Sequence, residues 1–399
     1  MSNDEKKDTL HQSGVLTLHY GYNEGAVLQA MATCQLLDQL GHEAEVVDHR
    51  YPAKQAIYGK TKTNREKAIL SAVNEWLPLS PERFESQSQE PTMAYASQRY
   101  ESLVVGSDVV WALKYVGRLR RFFKNGIFRR QCDPFFPAFP NVYWPGESVS
   151  CRKIAFAASC GNLDPSEIPG GELRKMAGIL DGFRSLSVRD HKTLALVNAC
   201  SPELASRTEL VPDPTIALNL LQKFDGSSGL EKLQSQGFQE DSNWALLVMK
   251  EGPASRAALE ELKRRGYQVA ASGSYGGKAD INLSNCGLSP LEWGWVPRCF
   301  QLNITERMHS LIFTVLNHTP VLALDMNTRS TTGDTKVKER IDAFGLGDCY
   351  LHQEDASESA ISKSIDQALN KSYSWNKIDE NISRERQGGV TFLRSALSL

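Results

Sequence analysis

Residues Gly14 to His49 read as strand, turn, helix and strand, and that order constrains the fold more than any other feature. VLTLHY (15–20) is a short apolar run closed by the glycine turn GYNEG. AVLQAMATCQLLDQL then repeats its apolar residues at helical spacing, Gly41 stops the helix, and EAEVVDH begins a second strand. Strands joined through a helix run parallel, and parallel sheets are covered by helices on both faces. The grammar recurs at LVVG (103–106), KIAFAAS (153–159), SLSVRD (185–190) with a helix after it, and ELVPD (209–213). Residues 222–242, polar and rich in glycine, interrupt it. A second set follows: WALLVMK (244–250), a helix through ASRAALEELKRRG, YQVAAS (267–272), CFQLNIT (299–305), a helix from Glu306 to Asn317, and PVLALD (320–325).

The 399 residues suit two domains of ordinary size. The expectation is an α/β protein of two Rossmann-like domains facing a cleft. Residues 10–222 form the first domain, with an inserted basic and aromatic segment at 112–150. Residues 243–375 form the second, and 376–399 a C-terminal extension packing back on the first. Within the insertion, RLRRFFKNGIFRR and DPFFPAFPNVYWPG have two readings. One is a lip that contacts an anionic or sugar-containing acceptor; the other is a surface helix whose Arg and Lys stems cover the aromatic rings.

Charge and cysteine usage narrow the function. Lys and Arg number 45 against 47 Asp and Glu, a formal charge of −2, so nucleic acid is not an expected partner and any anion site is local. The eight cysteines never fall in a Cys-x-x-Cys pattern, which speaks against zinc and redox motifs and for free thiols in a reducing compartment. The N-terminus is charged without an apolar core, and the longest apolar stretch is broken by Asn317, His318 and Pro320. A cytoplasmic protein is expected, without a membrane span and with at most peripheral association.

Ligands of open parallel sheets bind beyond the carboxyl ends of the strands. Five clusters meet that condition: Tyr20 to Gly25, with Asn23 and Gly25; Gly106, Ser107 and Asp108; Ser159 to Asn162; Arg189 and Asp190 with His191; and Thr305 to His309. Thr305 as an N-cap would place Arg307 and His309 in the first helical turn, giving an anion holder beside a proton carrier. Arg189 across the cleft could grip the same ligand or simply pair with Asp190. Asp48, at the end of the second strand, is where a ribose-binding acid would sit. GYNEG, however, lacks the spacing of a dinucleotide site, and the Gly273–Gly277 run lacks the end of a phosphate loop. No serine-hydrolase elbow or metal-ligand spacing occurs.

Taken together, GVLTLHYGYNEGAVLQAMA, VVGSDVVW, IAFAASCGN, SVRDHKT, VPDPTIAL and ITERMHSLIF resemble, in order and spacing, the polysaccharide pyruvyl transferase family over residues 14–345. The resemblance implies a fold of the glycosyltransferase B kind. It also implies transfer of the enolpyruvyl unit of phosphoenolpyruvate onto two hydroxyls of a glycan or lipid-linked sugar, with release of phosphate. It matches Arg307-Met308-His309 and Arg189-Asp190 to the family's donor-holding arginines and acid–base histidine. Gly106, Ser107, Asp108, Asn23 and Gly25 then line the cleft with Ser159, Asp108 or Asp190 acts as second base or orients His309, and Pro212–Thr215 is structural. No cofactor or metal is implied, because arginine can neutralise the leaving phosphate. Ser310 stands where the family often has glycine, and Cys160 where it commonly has an aromatic residue. Rival readings are a nucleotide-sugar glycosyltransferase and a non-catalytic ligand-binding protein, each on the same fold.

Overall fold

A computed structural model gives the fold and describes residues 13–114, 137–327 and 334–398. The first sheet has seven parallel strands: β1 (Ser13–Leu16), β2 (Ala44–Arg50), β3 (Leu79–Glu85), β4 (Ser102–Val105), β5 (Arg152–Ala158), β6 (Ser185–Val188) and β7 (Thr208–Leu210). Their order in the sheet is β3-β2-β1-β4-β5-β6-β7. Val15 pairs with Val46 on one side and Val104 on the other, so β1 is central and buried on both faces.

The second sheet has six parallel strands, β8 (Trp244–Val248), β9 (Gln268–Ala271), β10 (Ile281–Asn282), β11 (Leu302–Thr305), β12 (Val321–Asp325) and β13 (Tyr350–His352), ordered β10-β9-β8-β11-β12-β13. The winding direction reverses between β1 and β4 in one sheet and between β8 and β11 in the other. Such reversals open a crevice at the carboxyl ends of the strands. The loops after β1, β4 and β11 carry three of the five clusters named above.

Six helices position the side chains of interest. These are α1 (Glu24–Gln39), α2 (His191–Cys200), α3 (Pro214–Ala217), α4 (Met308–Leu316), α5 (Lys336–Ala343) and α6 (Trp375–Leu397). Side-chain oxygens of Asn23, Asp190, Asp213 and Thr335 cap α1, α2, α3 and α5 by accepting backbone N–H groups of the first turn. Helix α6 spans both domains. Its first half buries Ile378 and Ile382 in a cluster with Leu311 and Val337 of the second domain. Its last turns lay Phe392 parallel to Phe156 at 6.2 Å and set Gly389 against Pro212 and Ala217. Arg386 donates to the Ile216 carbonyl at 3.1 Å, which fixes the α3 turn from the same side.

The main departures from the sequence reading are at edges and in loops. Strands β3, β10 and β13 are not among those the sequence predicts. β3 alternates one buried residue with several exposed ones, as an edge strand does, and its polar LSPERFE lacks the apolar run of a central strand. The interruption at 222–242 contains a helix, Ser227–Gln234, and buries Leu233 and Phe238 against Trp244. In the insertion, Val142, Tyr143 and Trp144 are core residues, and Trp144 stacks on Trp111 at 5.1 Å. That part is therefore not a lip, while the basic run at 118–130 lies outside the described residues. Among the described residues, no helix is long and apolar enough to cross a membrane.

Candidate active site

The site is built around a buried charge cluster at the end of β6. Arg189 is 7% exposed and bound on two sides. Its Nη1 donates to Asp213 Oδ2 at 2.6 Å and to Ser107 Oγ at 3.3 Å, and its Nη2 to Asp108 Oδ1 at 3.1 Å. Nε is buried with no hydrogen-bond partner. Two carboxylates against one guanidinium leave the cluster with a negative balance that other cations must offset. Arg189 is thus an internal tie between the β4, β6 and β7 loops and does not reach openly across the cleft. Its carboxylate partners are Asp108 and Asp213; the adjacent Asp190 is engaged elsewhere.

The β4 loop brings two of these partners in. Gly106 has φ +117, and a Cβ there would lie 2.2 Å from the Phe156 carbonyl, so only glycine fits. Ser107 is fully buried, donates to the Ala157 carbonyl at 3.0 Å and accepts Thr17 Oγ1 on its own carbonyl at 2.9 Å. Asp108 has φ +69, an uncommon conformation in which its Oδ1 also accepts the Val109 N–H at 2.8 Å.

Asp190 is fully occupied locally. Oδ1 caps α2 by accepting the Thr193 N–H at 2.8 Å, and Oδ2 accepts Ser159 Oγ at 2.7 Å. Ser159 in turn accepts the Gly161 N–H at 3.1 Å. Asp190 and Ser159 therefore join the loops after β5 and β6. Asp190→Ala is expected to lower stability by about 1–2 kcal/mol through loss of the cap while leaving donor affinity unchanged, as a denaturation curve and a binding titration on the same preparation would show.

His309 enters from the second domain. Thr305 is not the N-cap: it ends β11, and its Oγ1 donates to the Val248 carbonyl at 3.1 Å and accepts the Arg307 N–H at 3.0 Å. Arg307 itself caps α4 with extended backbone and no side-chain cap bond, and it is exposed. His309 sits in the first turn of α4, its side chain 12% exposed. One edge of the ring rests on Gly25 of α1, where a Cβ would come within 2.1 Å of Nδ1. On the other edge, Nε2 lies 3.5 Å from Asp213 Oδ2, an ion-pair distance without a well-formed hydrogen bond. Burial raises the Asp213 carboxyl, but His309 and Arg189 outweigh that and hold it well below the usual carboxylate range. The carboxylate beside His309 is Asp213, where Asp108 or Asp190 was expected. Gly25→Ala must displace the imidazole; turnover is expected to fall about a hundredfold with the unfolding midpoint nearly unchanged, and full activity in that variant would show that ring placement is unimportant.

Two further cations escaped the sequence reading. Lys336, the first residue of α5, lines a narrow inter-domain cavity with Arg189, Asp190, Asp213 and Met308. Lys54 is half-buried within electrostatic reach of Asp108. Asp48 is no ribose acid in this fold. His19, Arg50 and Arg83 hold its carboxylate at 2.9, 2.6 and 2.9 Å.

Two parallel-sheet domains with charged residues gathered at both switch points define a protein of the glycosyltransferase B kind. The likeness to Arabidopsis thaliana UGT89C1 complexed with quercetin supports that fold, with a TM-score of 0.52 and 10% identity over 97% of this chain and 99% of that one. Spinosyn rhamnosyltransferase SpnG gives 0.49 at 10% identity, covering 96% and 99% of the two chains. UDP-GlcNAc 2-epimerase from Neisseria meningitidis gives 0.48 at 11%, covering 95% and 99%. Comparison with curated protein sequences gives no match. The family model for polysaccharide pyruvyl transferase matches residues 23–328, and the chain belongs to that transferase family.

Proposed function

We propose that the protein transfers the enolpyruvyl group of phosphoenolpyruvate to two hydroxyls of a glycan or lipid-linked sugar, forming a pyruvate ketal and releasing phosphate. The observation that carries this reading is the seat of His309, an imidazole between Gly25 and Asp213 whose Nε2 faces the carboxylate without a formed hydrogen bond, at the switch points of both domains in a member of this family.

Ketal formation needs a proton at the methylene carbon of the donor, and its balance is closed by the acceptor. The first hydroxyl loses its proton and its oxygen bonds to the central carbon, while the methylene carbon gains a proton and becomes methyl. The second hydroxyl then bonds to the same carbon as the carbon–oxygen bond to phosphate breaks, and its proton leaves with the phosphate. His309 is suited to carry the first proton from hydroxyl to carbon. Asp213 stabilises the imidazolium formed between those steps, as a buried carboxylate beside a histidine does. Arg307 supplies a charged fork for the anionic donor, and Arg189 fixes Asp213 and Asp108 in place.

The test of donor class is protection from thermal unfolding. Phosphoenolpyruvate is expected to raise the unfolding midpoint while nucleoside diphosphates and nucleotide sugars leave it unmoved. The opposite pattern would make the protein a nucleotide-sugar glycosyltransferase, and protection without any turnover would favour a binding protein on this fold.

A further inference from the structure

Ketal formation uses two hydroxyls of one sugar, so the site must hold a diol as well as an anion. The first domain carries side chains suited to that task where β2 and β4 end, on either side of β1. We propose that Lys54, Asp108 and the ring of Tyr58 form an acceptor subsite that takes a hexose by a pair of neighbouring hydroxyls; the proposal rests on the reading that the acceptor is a sugar diol.

Lys54 lies in the short helix Pro52–Tyr58 that follows β2. Strands β2 and β4 flank β1 and are about 10 Å apart. Lys54 is half-buried within electrostatic reach of Asp108, yet among the described residues its ammonium group makes no ion pair or hydrogen bond. Burial lowers the Lys54 pKa and Asp108 opposes that shift. Asp108 is only half used. Its Oδ1 accepts from Arg189 and from the Val109 N–H, while its Oδ2 has no hydrogen-bond partner among the described residues. The tie to Arg189 fixes the carboxylate, so the free oxygen has a set direction. Lys54 can donate only, and an ionised carboxylate can accept only. A diol placed between them satisfies both: Lys54 donates to the oxygen of one hydroxyl, and Asp108 accepts from the next.

Tyr58 adds an aromatic wall. It follows Lys54 by four residues and therefore shares its helix face. Its ring packs edge-on against Tyr20 and Tyr22, with centroids at 5.8 and 5.0 Å. The Tyr22 hydroxyl donates to the Tyr58 carbonyl at 2.9 Å, and a Cβ on Gly21 would come within 3.2 Å of the Tyr58 ring, so the helix end and the loop after β1 form one packed surface. Arg50 lies over the Tyr20 ring at 4.0 Å and takes up that face. Tyr58 stays partly exposed, and its hydroxyl makes no hydrogen bond among the described residues. An aromatic surface beside a few oriented polar groups is the composition of a small-ligand pocket, and a pyranose has an apolar C–H face for the ring and hydroxyls at its rim for the charges. The same loop leads to the reacting centre, because Gly25, three residues beyond Tyr22, carries the His309 ring. The acceptor then rests on the first domain and the anion on Arg307 of the second, with the imidazole between them.

The test follows phosphate release at saturating phosphoenolpyruvate while oligosaccharides ending in galactose, glucose or mannose are varied, in wild type, Lys54→Met, Tyr58→Leu and, as a surface control, Lys60→Met. Each sugar and phosphoenolpyruvate are also titrated singly by calorimetry. Lys54→Met is expected to raise the acceptor KM about tenfold to a hundredfold, to weaken the sugar alone to the same degree, and to leave phosphoenolpyruvate affinity and the unfolding midpoint unchanged. Tyr58→Leu should raise the acceptor KM by a smaller factor, and Lys60→Met should match wild type. Unchanged acceptor KM and sugar affinity in Lys54→Met overturn the proposal, as does an equal loss for phosphoenolpyruvate, which would put the lysine at the donor. A wild type that neither binds nor turns over any of these sugars overturns it as well. Sugar binding that is lost in Lys54→Met, in a wild type that does not bind phosphoenolpyruvate, supports the subsite and removes only the donor assignment.

Discussion

His309→Ala is expected to leave phosphoenolpyruvate binding largely intact and to reduce turnover by about 10²–10⁴-fold, the usual worth of a positioned acid–base group. The expectation comes from where the ring sits. One edge is fixed by the absence of a side chain at Gly25, and the other faces Asp213, so the imidazole is held between two domains by contacts that do not involve the anion. Arg307, the cation proposed for the donor, precedes the first residue of α4 and makes none of the ring's contacts. Removing the ring therefore removes a proton carrier and leaves the charges in place. Steady-state phosphate release and a phosphoenolpyruvate titration on the same variant separate the two roles, and loss of binding together with turnover would make His309 a binding residue.

The second large effect concerns stability. Arg189→Met is expected to destabilise the protein by about 3–5 kcal/mol, because it leaves Asp108 and Asp213 buried without their shared countercharge. The same logic predicts partial recovery when Asp213→Asn is added, since the neutral amide no longer needs a cation. Equilibrium denaturation of the single and double variants measures both. An arginine that mainly holds the donor would behave differently: its methionine variant would unfold near the wild-type midpoint and lose affinity for phosphoenolpyruvate. Observing that would move Arg189 from the supporting frame to the ligand.

The helical spacing after GYNEG and the apolar runs at β1, β4, β8 and β11 made the parallel α/β architecture legible, because central strands of such sheets are buried on both faces and read as continuous apolar segments. Edge strands carry no such signal, which is why β3, β10 and β13 are not legible in the sequence. The site was legible in its motif residues and less so in their roles. Arg307 and His309 stand at the start of α4, but the cap proved to be Arg307 and not Thr305, since Thr305 is still paired to Val248 in the sheet. In the sequence, Asp213 has only a structural reading. Its Asp-Pro-Thr pattern does mark a helix cap, with Oδ1 accepting the Thr215 N–H at 3.1 Å, and nothing in that pattern reveals that Oδ2 faces both Arg189 and His309. Lys336 lies in no motif at all; only the packing of α5 against α4 brings it to the cavity.

Pyruvyl transfer is read out by incubating the protein with phosphoenolpyruvate and a panel of glycans bearing terminal hexoses, following phosphate release and the sugar product together. Phosphate release is expected to depend on an acceptor and to appear in step with a pyruvate ketal on that sugar. Absence of release with every terminal hexose, in a protein that also fails to bind phosphoenolpyruvate, would contradict pyruvyl transfer.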